Sequence, residues 1–434
     1  ECSIDNCYST GSVSGSGTGI GGLTGYGTAT NSFWNVATSG QSASGGGTYK
    51  TSTQMKDFDT YTDINTVGLT SAWDFIDNPN DDASNDDIWD MDQGGSGYPI
   101  LTWQVEADDL LSEPAGSGTE GDPYQITTLD ELGWISDHTG MWDKYYEQTT
   151  NIDAAATSSW DSDSGFTPIG NSAIEFTGSY NGQGYTIDNL FIDRDTPYTA
   201  LFGYTNSSDL DKIGLTNVDI SGQAYTGALV GRNYTTQINE CYSTGSISGT
   251  GASGGLVGAN GQVTTIENCY STAGVNSTGD AVGGLVGDNY YATATINNCY
   301  STGNVVGATN VGGLVGAKQV SSVISNSFWN TTTSNQGTSV GGAGKTTAEM
   351  KNWNTYTDTD AAELDAAWDF IINPNNDAAD NDLWDLDQNG SGYPIFSWQS
   401  GADAYLSDPD GTGASGEPYE IANVYDLHWL MNNS

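Results

Sequence analysis

Alternating oxygen-bearing side chains are the clearest place for chemistry in this chain. Asp385-x-Asp387-x-Asn389-Gly390 has the start of a calcium loop, in which alternate oxygens converge on a hard cation and a glycine allows the turn. The Glu expected at the twelfth position is absent, and Phe396 stands there. An earlier copy, Trp89-Asp90-Met91-Asp92, keeps Asp90 and Asp92 but has Gly94 where the later copy has Asn389. Calcium is the one cofactor these residues suggest, with Asp385, Asp387, Asn389, Asp90 and Asp92 as its candidate ligands. The plainer reading is a strand with Trp384 and Leu386 inward and Asp385 and Asp387 in water.

Catalysis has little support. Carboxylates are so plentiful that no pair stands out for acid–base work on a polysaccharide. The two histidines, His138 and His428, fall on predicted helices far apart in sequence. The two arginines, Arg194 and Arg232, are too few for a lyase that neutralises acidic sugars. The chain therefore reads as no enzyme. Cys241, Cys269 and Cys299 recur at 28 and 30 residues, which is not a zinc pattern such as Cys-x-x-Cys. They read as a buried, reduced column, although stacked neighbours would also lie near disulfide range. Cys2 has no cysteine at its equivalent positions and is the candidate reactive thiol. The tryptophans Trp34, Trp73, Trp89 and Trp103 read as junction core, with a sugar-stacking surface as the alternative. Asn-x-Ser/Thr sequons occur at Asn206, Asn233, Asn276, Asn330 and Asn389 and matter only where Asn is glycosylated.

Internal repeats set the architecture that must position these groups. Gly-Gly-Leu-Val-Gly occurs at Gly254–Gly258, Gly283–Gly287 and Gly312–Gly316, with variants at Gly227–Gly231 and Gly21–Gly25. Asn-Cys-Tyr-Ser-Thr occurs at Asn6–Thr10, Asn268–Thr272 and Asn298–Thr302, with a variant at Glu240–Thr244. A longer period repeats Trp73-Asp74-Phe75-Ile76 as Trp368-Asp369-Phe370-Ile371, a shift of 295 residues. The same shift carries Phe33-Trp34-Asn35 onto Phe328-Trp329-Asn330. About one and a half copies of this module are present, which reads as an excerpt from a longer tandem array.

Each short unit is a set of brief strands punctuated by Gly and Asn, residues that accept the positive φ of sharp corners. Gly283–Gly287 reads as one strand, the segment around Thr293–Ile296 as a second and Asn304–Val306 as a third. One unit cannot bury its apolar face alone, but stacked units can, at about 4.8 Å per strand. The expected fold is all-β: a parallel β-helix, or β-solenoid, of about 28-residue coils with short capping helices and irregular junctions between modules. Leu229, Leu256, Leu285 and Leu314 should form one interior column. Ile238, Ile266 and Ile296 should form a second and Cys241, Cys269 and Cys299 a third. Asn268 and Asn298 should form an amide ladder. Capping boxes at Thr128–Glu131, Thr51–Gln54 and Thr346–Glu349 mark helix starts.

This pattern resembles the GLUG-repeat family, and Phe176–Ile187 looks like the coil that precedes its repeats. The resemblance implies a large bacterial or archaeal surface protein or adhesin, in which such repeats serve as stalk or passenger. It supplies no catalytic residues.

The resemblance also implies an extracellular or cell-surface setting, and composition narrows the partners. The chain of 434 residues has 55 acidic and 9 basic side chains, a net charge of −46. That excludes nucleic acid, which needs clustered Lys and Arg, and adhesion to anionic lipid. No apolar run approaches the roughly 18 residues of a membrane span, so this segment does not insert. A disordered acidic chain would be poor in aromatics, whereas this one has 13 Trp and 24 Tyr. The expected organisation is a last coil of one module at 1–32, a junction and hinge at 33–121, and a cap and solenoid at 122–327. A second junction and hinge follow at 328–416, and a new module starts at 417–434. The expected role is a structural stalk or self-assembling filament whose partners are copies of itself. The alternatives are calcium-dependent binding of surface glycans and a β-helix polysaccharide enzyme.

Overall fold

The coils close because their corners fall on residues that tolerate left-handed backbone. Lys212, Glu240, Asn268, Asn298 and Asn326 occupy successive copies of one corner, at φ between +46° and +51°. Asn pays least for this conformation because its short amide bonds locally. The computed structural model describes residues 4–75, 88–91, 98–101, 113–291, 293–360, 363–370, 383–386 and 391–399, together with Ala414. They divide into two units, Glu1–Leu110 and Leu111–Ser434.

The second unit is a β-solenoid of parallel sheets. One sheet has eight strands, from Tyr124–Ile126 through Gln237–Asn239, Thr265–Glu267 and Thr295–Asn297 to Val323–Ser325. Its pairing is in register, so Leu210 faces Ile238, Ile238 faces Ile266, Ile266 faces Ile296 and Ile296 faces Ile324. Tyr124, Tyr146 and Tyr180 continue the column toward the first coil. A second sheet stacks Phe202–Asn206, Val230–Tyr234, Val257–Asn260, Val286–Asn289 and Val315–Lys318. The first coil is covered by the helix Leu129–Asp137, whose N-terminus carries the Thr128–Glu131 capping box. Leu132, Trp134 and Ile135 on that helix are buried. Burying each such side chain is worth about 1.5–3 kcal/mol. Residues just before it fold back, with Gln125 N donating to Ala115 O at 2.7 Å.

One expectation about strands is corrected. Gly283–Gly287 is not a single strand: one strand ends at Gly283 and the next begins at Val286. The signature turns a corner at Gly284–Leu285, too tight for a side chain at Gly283, where a Cβ would lie 2.0 Å from Val286 O. The backbone ladder continues round the bend, with Leu285 N donating to Leu314 O at 2.9 Å.

After the last coil the chain of the second unit forms short helices Thr347–Met350 and Asn354–Thr357 and a hairpin of Trp384–Leu386 with Pro394–Phe396. The first unit holds the same sequence of elements. Tyr8–Ser9, Phe33–Asn35 and Thr48–Lys50 pair in parallel, and Trp89–Met91 pairs antiparallel with Pro99–Leu101. Among the described residues no helix is long and apolar enough to cross a membrane.

Candidate functional site

The interior columns are built from backbone register. Leu229 N donates to Leu256 O, Leu256 N to Leu285 O and Leu285 N to Leu314 O, at 2.9–3.0 Å, and all four side chains are fully buried. Cys241, Cys269 and Cys299 follow one another up the stack. Cys241 N approaches Cys269 Sγ at 3.5 Å and Cys269 N approaches Cys299 Sγ at 3.4 Å. Each thiol also donates to the carbonyl two residues before it, at 3.0–3.1 Å. All three are free and buried, whereas Cys7 is free and exposed; Cys2 lies outside the described residues. Burial pushes the Cys241 and Cys269 thiols well up from their ordinary range. Beside them Asn298 Nδ2 donates to Asn268 Oδ1 at 3.2 Å, and Asn268 Nδ2 donates to Asn239 Oδ1 at 3.1 Å.

The two sequence hallmarks meet in the interior. Ser243 Oγ donates to Gly255 O at 2.8 Å and Ser301 Oγ to Gly313 O at 2.7 Å. Gly255 has no room for a side chain, because a Cβ there would sit 2.2 Å from Ser271 Oγ.

The tyrosine of Asn-Cys-Tyr-Ser-Thr does something the sequence did not disclose. Tyr242, Tyr270, Tyr300 and Phe328 face one another on the outer side of the sheet. Tyr242 stacks on Tyr270 and Tyr270 on Tyr300, each at 4.9 Å between ring centroids. The junction segment of the same unit covers this ladder. Trp384 lies 6.3 Å from both Tyr270 and Tyr300, and Phe396 lies 5.5 Å from Tyr270. Tyr300 Oη donates to Pro394 O, and Gln399 Nε2 donates to Tyr270 Oη at 2.9 Å. In the first unit Tyr8 Oη donates to Pro99 O in the same way. The available signal was the pairing of an unvarying Tyr with tryptophans that recur at the 295 shift.

The acidic strand lies in that cover. Asp385 faces Ile395 across the hairpin and is only 3% exposed. The reading that left its carboxylate in water is thereby corrected: the hairpin lies across the aromatic flank and removes solvent from both Trp384 and Asp385. Leu386 packs inward as expected, half-buried against the same aromatic cluster. Asp387, Asn389 and Asp92 lie outside the described residues, and Asp90 is described in backbone alone, opposite Ile100. A calcium ion takes six to eight oxygens, and of the candidate ligand side chains Asp385 is the one whose surroundings are described. Among the described residues no group of three or more His, Cys, Asp or Glu side chains converges. His138 packs flat on Trp134 at 4.2 Å, with Nδ1 2.8 Å from Trp134 O, as part of the helix end. His428 lies outside the described residues.

Corners on asparagine, the Ser–Gly contact and the stacked leucines account physically for both hallmarks. The family known by the GLUG motif matches residues 278–306. The chain carries the GLUG motif. The chain is similar to halomucin of Haloquadratum walsbyi, 36% identical over 156 residues, which is 34% of this chain and 2% of halomucin. A Gly-rich membrane protein of Evansella cellulosilytica is 35% identical over 124 residues, 27% of this chain and 14% of that protein. The chain thus spans a small part of the length of these relatives. A crystal structure of a protein from Bacteroides ovatus described as an immunoglobulin A1 protease is 22% identical, with a TM-score of 0.48, covering 65% of this chain and 94% of that one.

Proposed function

We propose that this chain is a non-catalytic repeat segment of a giant extracellular surface protein, in which solenoid units act as stiff spacers of a stalk or fibre. The observation that carries the reading is the unbroken register of the column from Tyr124 to Ile324. Every rung hydrogen-bonds to the next, so bending the stack means breaking rows of parallel bonds. At about 4.8 Å per rung, eight stacked strands span roughly 34 Å. The docked junction adds a second layer of contacts along the aromatic flank of the stack.

The relatives support the setting. Halomucin is long enough that this similarity covers 2% of it, and the second relative is named as a membrane protein. A net charge of −46 keeps neighbouring copies apart and soluble. Partners under this reading are further modules in series and, at the surface, glycans.

Immunogold labelling of intact source cells with an antibody to this chain tests the proposal. Labelled threads or a labelled coat are expected. Label found only inside permeabilised cells would overturn it.

A further inference from the structure

The chain's two arginines are used differently. Arg194 is bonded to Asp161 at 2.8 Å and to the carbonyls of Gly165 and Phe166. Among the described residues no carboxylate comes within ion-pair distance of Arg232. Its guanidinium lies instead over Tyr225 and Tyr204, 5.3 and 5.5 Å from their ring centroids. Tyr198 stacks on both rings, at 5.4 Å each.

Register creates a notch beside it. In the five-stranded sheet Arg232 faces Ala259, and Ala259 faces Asp288. A methyl group thus separates a guanidinium from a carboxylate two rungs away. The gap above it is about 320 Å³, lined by Tyr225, Arg232, Ala259, Asp288, Tyr290 and Tyr291. The neighbouring Asn260 also lines it; this side chain is wholly buried, and its Oδ1 has no hydrogen-bond partner. Tyr290 is half exposed, which leaves an aromatic surface at the mouth.

Tyr225 holds φ +59° and Tyr198 φ +65°. A bulky residue in the left-handed region carries backbone strain, and strained residues cluster at binding sites. An Asn would fill the same backbone with less strain.

We propose that this notch binds a carboxylate-bearing pyranose, the acidic sugar unit of a polysaccharide. Arg232 pairs with the sugar carboxylate. Tyr290 and Tyr291 offer aromatic surface to the apolar C–H side of the ring, while Tyr225, stacked on Tyr198 and covered by the guanidinium, holds Arg232 in place. Asp288 accepts hydrogen bonds from its hydroxyls. A neutral sugar would leave the guanidinium without a directly paired carboxylate, and a bare carboxylate would leave the tyrosines without a ring to cover. The site stands on its own geometry and does not depend on the spacer reading.

The test is titration of the full chain, followed by ligand-observed NMR, with methyl β-glucuronide, methyl β-glucoside and acetate as probes. The glucuronide is expected to bind at about millimolar concentration and at least about tenfold tighter than either control. Ala259→Leu, which fills the notch, and Arg232→Gln should each weaken it by about tenfold or more. Tyr225→Asn should lose binding while its melting temperature stays level or rises, a combination that a merely structural tyrosine would not give. Absence of glucuronide binding at about tens of millimolar, equal binding of all three probes, or full binding by Ala259→Leu would each overturn the proposal.

Discussion

Trp368 donates its indole N–H to the backbone carbonyl of Asn326 at 3.0 Å, and Trp73 donates to Asn31 at 2.7 Å, 295 residues earlier. Asn326 and Asn31 are both left-handed corners, at φ +46° and +43°. Their side chains are sockets as well: Asn326 Oδ1 accepts from Asp365 N at 2.7 Å and Asn31 Oδ1 from Thr70 N at 2.7 Å. In each unit the corner residue of a coil therefore seats the segment that follows it.

Breaking that seat should loosen the junction before the coils. Trp368→Phe keeps a ring but leaves the buried Asn326 carbonyl unpaired, a cost of about 1–3 kcal/mol. Trp368→Ala adds a cavity and should cost about 3–5 kcal/mol. Urea unfolding measures both, and hydrogen exchange should show the loss first at 347–399. A Trp368→Phe variant as stable as the parent would show the indole bond to be idle.

Glu240 sits at the corner that Asn268 and Asn298 occupy in later coils, at the same φ of +51°. Burial raises its carboxyl from the ordinary range, partly offset by the nearby Lys212 ammonium. Glu240→Asn removes a half-buried charge and suits the backbone, so a gain of about 0.5–1 kcal/mol is expected. Asn298→Ala should lose a similar amount, since it keeps the strain and drops the amide bond to Asn268. Thermal melts of both variants, compared with the parent, check the opposite signs.

Alkaline pH should weaken the fold. Burial raises the Cys241 and Cys269 thiols and the Tyr146, Tyr180 and Tyr356 hydroxyls. A raised folded value means that stability is fully present below the unfolded value, 9.0 for Cys and 10.0 for Tyr, and is lost as pH rises toward the folded one. Each group contributes at most about 1.4 kcal/mol per pH unit in that window. The urea midpoint should therefore fall between about pH 8 and pH 10.5. Alkylation at the lower pH should modify Cys7 and spare Cys241, Cys269 and Cys299 until the chain unfolds.

Salt should do the reverse. With 55 acidic and 9 basic side chains, self-repulsion opposes the compact state, so added sodium chloride should raise the melting temperature by screening. Calcium at matched ionic strength separates a specific site from screening. If Asp385, Asp387 and Asn389 hold the ion, calcium should add a further rise that Asp387→Asn diminishes and EDTA removes. Coincident sodium and calcium curves would leave screening alone.

Repetition made the interior legible. A residue recurring every 28–30 positions must meet its own copy, so the leucine, isoleucine and cysteine columns could be read from spacing. The corner at Gly284–Leu285 was harder, because a Gly-Gly-Leu-Val-Gly run suits a strand as well as a bend. The burial of Asp385 was illegible, since alternation along Trp384-Asp385-Leu386 assumes one wet face. The hairpin has none there, because the tyrosine flank and the hairpin's own partner close it off.

The sequence by itself determined the coil length, the parallel β-solenoid and the identity of its inner columns, because self-similar segments bury apolar surface only by stacking in register. Tertiary structure alone decided the outer contacts. What covers Tyr300 is Pro394, 94 residues on, and what opens the notch beside Arg232 is the small Ala259 on the next strand. Neither relationship follows from a period, since each depends on which dissimilar residues the folded chain sets side by side.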